Sequence, residues 1–236
     1  MDVTLKALKE GRLLLFDKPL KWTSFDLVNK VRWLITKALG EKKLKVGHAG
    51  TLDPLATGLM IVCTGKQTKS ITAMVGLDKE YIATIRLGST TPSFDLETQP
   101  DNFYDISHIT NELIASVIVK FRGEQMQTPP AFSAKLIDGR RAYKFAREGN
   151  MREPMPVSIN IKELEVVEYS LDSLTIRVLC SKGTYIRSLA RDIGLALGSG
   201  AHLISLKRTR VGDYKLIDAM KPEDFEKIIG LMKQTE

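Results

Sequence analysis

Residues 46–66 constrain this chain more than any other stretch. They run Val46-Gly47-His48-Ala49-Gly50-Thr51-Leu52-Asp53-Pro54-Leu55-Ala56-Thr57-Gly58 and then Leu59-Met60-Ile61-Val62-Cys63-Thr64-Gly65-Lys66. The apolar run Leu59 to Cys63 reads as a buried strand. What precedes it reads as a loop. Gly47, Gly50 and Gly58 permit tight turns and close approach of a ligand. Pro54 biases Asp53 away from helical geometry and fixes the φ that follows. A stiff loop with one carboxylate and one imidazole, pinned by a core strand, is the form a catalytic loop on a rigid scaffold takes. The same residues also suit an ordinary Asp-Pro turn.

The flanking chain supplies a scaffold. Arg12 to Asp17 reads as a strand ended by Lys18-Pro19. Thr23 with Asp26 forms a capping box, and Val28, Val31, Ile35 and Leu39 then recur at helical spacing up to Gly40. Lys42, Lys43 and Lys45 fall in the loop that leads to the Asp53 motif; they suit a solvated loop or phosphate contacts. A short helix is expected over Gln67 to Val75. Lys79 to Leu87 alternates, with Tyr81, Ala83, Ile85 and Leu87 on one face. A helix from about Ile109 carries Leu113, Val117 and Phe121 on one side. Val157 to Glu168 and Leu174 to Cys180 read as strands. Thr184 is the expected N-cap of a helix whose apolar face is Ile186, Leu189, Ala190, Ile193 and Leu197, with Gly198 as its end. His202 to Val211 reads as a strand carrying Lys207, Arg208 and Arg210, and Pro222 to about Lys233 as a last helix.

Charge points to a polyanion. Thirty-five Lys and Arg against 28 Asp and Glu leave a net +7, which favours nucleic acid. The excess concentrates between Lys135 and Arg152, where Lys135, Arg140, Arg141, Lys144, Arg147 and Arg152 face only Asp138 and Glu148. Arg140, Lys144 and Arg147 are expected on one helical face, after a hairpin turn at Asp138-Gly139. Phe132, Tyr143 and Phe145 are interleaved, and cations with rings suit phosphates and unstacked bases. An exposed helix packing its own aromatics is the alternative. Cys63 and Cys180 sit in apolar runs and read as buried thiols. His48, His108 and His202 are widely separated, so no metal site is expected. With neither a leader pattern nor a long apolar stretch, the expectation is a cytoplasmic protein with no membrane contact.

The run Gly-His-Ala-Gly-Thr-Leu-Asp-Pro-Leu-Ala-Thr-Gly resembles the signature of the tRNA pseudouridine synthase B family, and the likeness extends from about Leu13 to Ile217. It implies an α+β fold with a mixed, mainly antiparallel central sheet, flanking helices and an RNA-gripping thumb inserted at about 122–152. It implies a single catalytic domain over residues 1–236, and relatives often carry a further C-terminal RNA-binding (PUA) module for which no room is expected here. The implied activity is conversion of uridine to pseudouridine in the T-loop of tRNA, with no cofactor. By the same resemblance Asp53 is the essential carboxylate, Arg187 the arginine that pairs with it, and Tyr81 the ring that stacks on the base. His48, Tyr185, Leu206 and Asp95 are implied to contact the target nucleotide, and Lys135, Arg140, Arg141, Lys144 and Arg147 the RNA backbone. Two departures stand out. Lys21 occupies the usual Gly position of an Asp-Lys-Pro-x-Gly-x-Thr-Ser opening. Thr91-Pro92-Ser93-Phe94-Asp95 replaces the common Thr-Asp-Thr-x-Asp and keeps only the second acid; a loop Asp is also an ordinary turn residue.

The implied chemistry breaks the bond between ribose C1′ and uracil N1, turns the base, joins C1′ to C5 and removes the C5 proton. Three roles suit a carboxylate: support of the positive charge developing at C1′, removal of the 2′-proton, or attack on uracil C6. A uridine in a folded loop must be extruded first, at a cost of a few kcal/mol. The expected partner is the tRNA T-arm, and a monomer is expected. A non-catalytic tRNA-binding or folding protein, an RNA N-glycosidase and a synthase acting on another RNA are the competing readings.

Overall fold

A computed structural model describes residues 4–235. The chain forms two compact units, one of residues 4–79 with 207–235 and one of residues 80–206. The fold is α+β, with mainly antiparallel strand pairing and flanking helices.

The first unit begins with α1 (Leu5–Glu10), β1 (Leu13–Lys18) and α2 (Ser24–Leu39). Thr23 accepts from the Asp26 amide, and the Asp26 carboxylate accepts from the Thr23 amide. This is the expected capping box, and Gly40 closes the helix at φ 65°. Next come β2 (Val46–His48), β3 (Ala56–Thr64), a 3₁₀ turn over Gly65–Ser70 and α3 (Ile71–Val75). The expected helix over Gln67 to Val75 is thus split, and only its second half is α-helical. β3 pairs antiparallel with both β1 and β2. Its unbroken apolar run follows from burial on two faces. Met60 and Val62 join Phe16, Leu27, Val31, Ile35 and Phe225, whereas Leu59, Ile61 and Cys63 join Ala49, Met74 and Val211.

The second unit starts as β4 (Lys79–Leu87) crosses its boundary and continues with β5 (Ser89–Thr90), β6 (Asn102–Phe103) and α4 (Asn111–Lys120). On β4, Tyr81, Ala83, Ile85 and Leu87 are buried, as the alternation requires. On α4 the buried residues are Ile114, Val117 and Ile118. The expected stripe of Leu113, Val117 and Phe121 is therefore rotated, because α4 packs on the long strand that follows and on a later helix. β7 (Gly123–Gln127), β8 (Leu136–Ile137), β9 (Arg140–Arg141) and α5 (Ala142–Arg147) come next. β8 and β9 form the hairpin signalled by Asp138-Gly139, with both residues at positive φ. Arg140 lies in β9 and not in α5, so it does not share a helical face with Lys144 and Arg147.

β10 (Val157–Ser170) pairs antiparallel with β7 and with β11 (Ser173–Cys180). α6 (Ile186–Ala196) buries Ile186, Leu189, Ala190 and Ile193. Thr184 does not cap it: its hydroxyl donates to Ser181 O, and Tyr185 holds the N-cap position. β12 (Ala201–Val211) leads back into the first unit, followed by β13 (Tyr214–Lys215) and α7 (Pro222–Thr235). Phe225 of α7 meets Phe16 edge to face at 5.3 Å.

Candidate active site

Asp53 is half-buried at the centre of the loop between β2 and β3. That loop is held at nearly every residue. The Ser24 hydroxyl, at the head of α2, accepts from Leu52 N–H at 2.8 Å and donates to Leu52 O at 3.0 Å. Lys21 N–H donates to Pro54 O and Ala56 N–H to Asp53 O. Arg208, 1 % exposed on β12, donates to Leu59 O at 2.8 Å, Gly50 O at 3.1 Å and Thr51 O at 3.5 Å. Gly58, at φ 101°, lies so close to the Arg208 backbone that a Cβ there would stand 2.3 Å from its carbonyl oxygen. Any side chain at that position would push β3 off β12.

Charge and burial are coupled around this loop. The Lys18 side chain is fully buried, and its ammonium donates to Pro19 O and Trp22 O. Burial lowers its pKa to about 8, against the attraction of the Asp53 carboxylate, which is the strongest effect in the other direction. His48, at the end of β2, is held below its usual pKa mainly by burial, opposed by a hydrogen bond with the Gly50 backbone. It is a neutral imidazole at pH 7.

The second unit assembles its own cluster. Arg187, the second residue of α6, is 5 % exposed. Its guanidinium donates to Phe132 O at 2.9 Å and Ser93 O at 3.2 Å and stands 3.6 Å from the Asp95 carboxylate. Phe94, between Ser93 and Asp95, adopts φ 61°. That left-handed turn aims the Ser93 carbonyl and the Asp95 carboxylate at one guanidinium. Asp95 also accepts from Glu97 N–H, and the Thr91 and Ser93 hydroxyls donate to its carbonyl. Tyr185 is fixed by Gln127, whose amide oxygen accepts from Tyr185 N–H at 2.8 Å and whose NH₂ donates to Tyr185 O. Tyr81 on β4 and Leu206 on β12 are both buried.

The basic hairpin and helix are cross-linked by ion pairs, two of them internal and one to Glu97. Arg140 pairs with Glu148 and lies over the Phe145 ring; Arg147 pairs with Glu97 at 2.6 Å and lies over Tyr143; Arg152 pairs with Asp138. Arg141 donates to Ala134 O. Lys135 and Lys144 have no ion pair among the described residues.

Sequence reasoning passed over Ser24, Arg208, Lys18 and Gln127. A signal existed for Arg208. On an alternating strand it shares the inward face with Leu206, where a cation needs buried acceptors. No such signal marks Gln127.

A family model described as TruB family pseudouridylate synthase, N-terminal domain, matches residues 36–186, and one described as tRNA pseudouridylate synthase B C-terminal domain matches residues 187–236. The chain is 58% identical over 217 residues to a tRNA pseudouridine synthase B of Phocaeicola vulgatus, covering 92% of both chains. It is 50% identical to the Flavobacterium johnsoniae protein of the same name, covering 92% of this chain and 95% of that one. Among solved structures it is similar to a chain in a crystal structure of a Cbf5–Nop10–Gar1 complex, at 28% identity and a TM-score of 0.74. That match covers 99% of this chain and 59% of the longer one.

Proposed function

The chain belongs to the TruB family of pseudouridine synthases, and we propose that it isomerises uridine to pseudouridine at position 55 of tRNA, in the T-loop. The observation that carries this reading is the Asp53 loop. One carboxylate sits in a loop whose neighbours are tied down by Ser24, Lys21 and Arg208, the preorganisation a reacting group requires.

In this reading Asp53 acts on the extruded nucleotide. The C1′–N1 bond breaks, the uracil turns, C1′ joins C5, and the proton leaves C5 while one returns to N1, so the atoms balance within one nucleotide. The Asp53 carboxylate acts either at C1′, at the 2′-proton or at uracil C6. Arg187 keeps that carboxylate ionised and oriented. Its own angle is set by Asp95, Ser93 and Phe132. Tyr81 stacks on the base and takes part in removing the C5 proton. Tyr185 and Leu206 wall the base, and neutral His48 flanks the space it leaves. Lys135, Arg140, Arg141, Lys144 and Arg147 hold the T-arm backbone. The catalytic unit is the single chain, with residues 122–152 as the gripping insertion.

The test is Asp53→Asn on unmodified tRNA. Binding is expected within about threefold of wild type while tritium release from C5-labelled uridine is lost, a fall of at least about 10⁴-fold. Release at the wild-type rate refutes the role of Asp53. Free uracil in place of pseudouridine marks an N-glycosidase instead.

A further inference from the structure

The turn that meets Arg187 holds one residue in a conformation it does not favour. Phe94 N–H donates to Thr91 O at 3.1 Å, which closes a four-residue turn with Pro92 as its second residue. Phe94 ends that turn at φ 61°. The place suits glycine, and a bulky aromatic there is a strained outlier. Strain of this kind persists only where surrounding contacts hold it.

What the strained residue does follows from its neighbours. The Ser93 carbonyl before it and the Asp95 carboxylate after it both meet the Arg187 guanidinium, at 3.2 and 3.6 Å. A switch of Phe94 to negative φ turns the flanking peptide groups and takes one of these acceptors away. Arg187 is buried, and a guanidinium N–H left there without its acceptor is costly.

Two contacts from other elements reach Phe94. Leu203 N–H on β12 donates to Phe94 O at 2.9 Å. The Arg191 guanidinium lies over the half-buried ring, its carbon 4.7 Å from the centroid. Arg191 stands one turn after Arg187 on α6, so both side chains leave one face of the helix. Asp192 orients the Arg191 guanidinium through contacts of 2.7 and 2.8 Å, and the arginine side chain is only 18 % exposed. α6 thus clasps the turn twice. Arg187 takes the polar groups on either side of Phe94, and Arg191 covers the ring between them.

We propose that Arg191 and Phe94 are positioning residues: the cation over the ring holds the left-handed turn that sets the angle of Arg187. This rests on the proposed catalytic role of Arg187, so the test includes a readout that needs no turnover. The variants are Arg191→Gln, Arg191→Lys, Phe94→Leu and the double variant Phe94→Leu with Arg191→Gln, each on unmodified full-length tRNA. Arg191→Gln and Phe94→Leu are each expected to lower kcat about tenfold through misplacement of Arg187. Kd for tRNA is expected within about twofold of wild type, which also reports an intact fold. The double variant is expected to fall no further than either single one, since both remove the same contact. Arg191→Lys keeps a cation above the ring and is expected to return to within about threefold of the wild-type kcat. The NMR resonance of Arg187 Nε–H is expected to shift in Arg191→Gln and Phe94→Leu and to stay near its wild-type position in Arg191→Lys.

Losses that multiply in the double variant overturn the proposal, because the two residues then act separately. Unchanged kcat in Arg191→Gln overturns it too, and a raised Kd beside it makes Arg191 an RNA contact. Wild-type protein that binds tRNA but makes no pseudouridine defeats the catalytic reading of Arg187 instead. The resonance then decides, and an Arg187 signal unmoved by Arg191→Gln ends the proposal.

Discussion

Lys18 carries an ammonium into the interior at the end of β1, where backbone carbonyls and the field of Asp53 only partly replace water. Its pKa is about 8 in the folded chain against 10.5 in the unfolded one. Unfolding therefore takes up a proton between those values, and stability at this residue rises with pH across that window. Below pH 8 the penalty is present in full, about 3 kcal/mol. Urea unfolding of wild type and Lys18→Met is expected to show a constant difference below pH 8, then a shift of that size in favour of wild type by pH 10.5. A difference that stays flat throughout removes the buried charge from the account. Lys21 tests a second local feature. It holds φ 69° where the resemblance expects glycine, a conformation that costs a non-glycine residue ~1 kcal/mol. Lys21→Gly keeps the amide bonded to Pro54 O. It is expected to raise stability by about 0.5 kcal/mol after the entropy glycine adds to the unfolded chain, read as a small rise in Tm at unchanged kcat.

Elements defined by their own few residues were readable in advance, and elements defined by distant partners were not. The capping box of α2 and the β8–β9 turn depend on side chains and φ values within four residues. The buried face of α4 does not. Leu113, Ile114, Val117, Ile118 and Val119 leave little polar surface on that helix, so the neighbours it packs on decide which of them is covered. The start of α6 shows the same thing, since Gln127 fixes Tyr185 from 58 residues away. The Asp53 loop lies between these cases. Its glycines and proline mark it as a constrained loop, but its clamp reaches back to Ser24 and forward 149 residues, from Leu59 to Arg208. In the proposed reading Arg208 is a positioning residue for the Asp53 loop. Arg208→Lys keeps the charge yet cannot serve all three carbonyls. It is expected to lower kcat about 10- to 100-fold through misplacement of Asp53, with Kd for tRNA within about twofold of wild type. A matched rise in KM with unchanged kcat assigns Arg208 to substrate binding instead.

At the scale of the whole molecule the net +7 divides into cations engaged within the protein and cations left to a partner. This division was not legible in the sequence, where every basic residue from Lys135 to Arg152 looked alike. Arg140 and Arg147 have carboxylate partners and ring faces that stiffen the hairpin and its helix. Lys135 and Lys144 have no such partner among the described residues, and their charge is balanced by solvent ions. A paired arginine that turns to a phosphate must give up its carboxylate, so it adds little to the salt dependence of binding. An unpaired lysine exchanges only a loosely held anion, and each contact is worth about 0.7 to 0.9 in the slope of log Kd against log salt. The double variant Lys135→Gln and Lys144→Gln is therefore expected to lower that slope for T-arm RNA by about 1.5. Arg147→Gln is expected to change the slope by less than about 0.5 and to act through a loosened thumb, seen as faster proteolysis within residues 128–152. Equal slope changes for both variants show that Glu97 releases Arg147 on binding, and the proposed grip of residues 122–152 then involves an exchange of ion pairs.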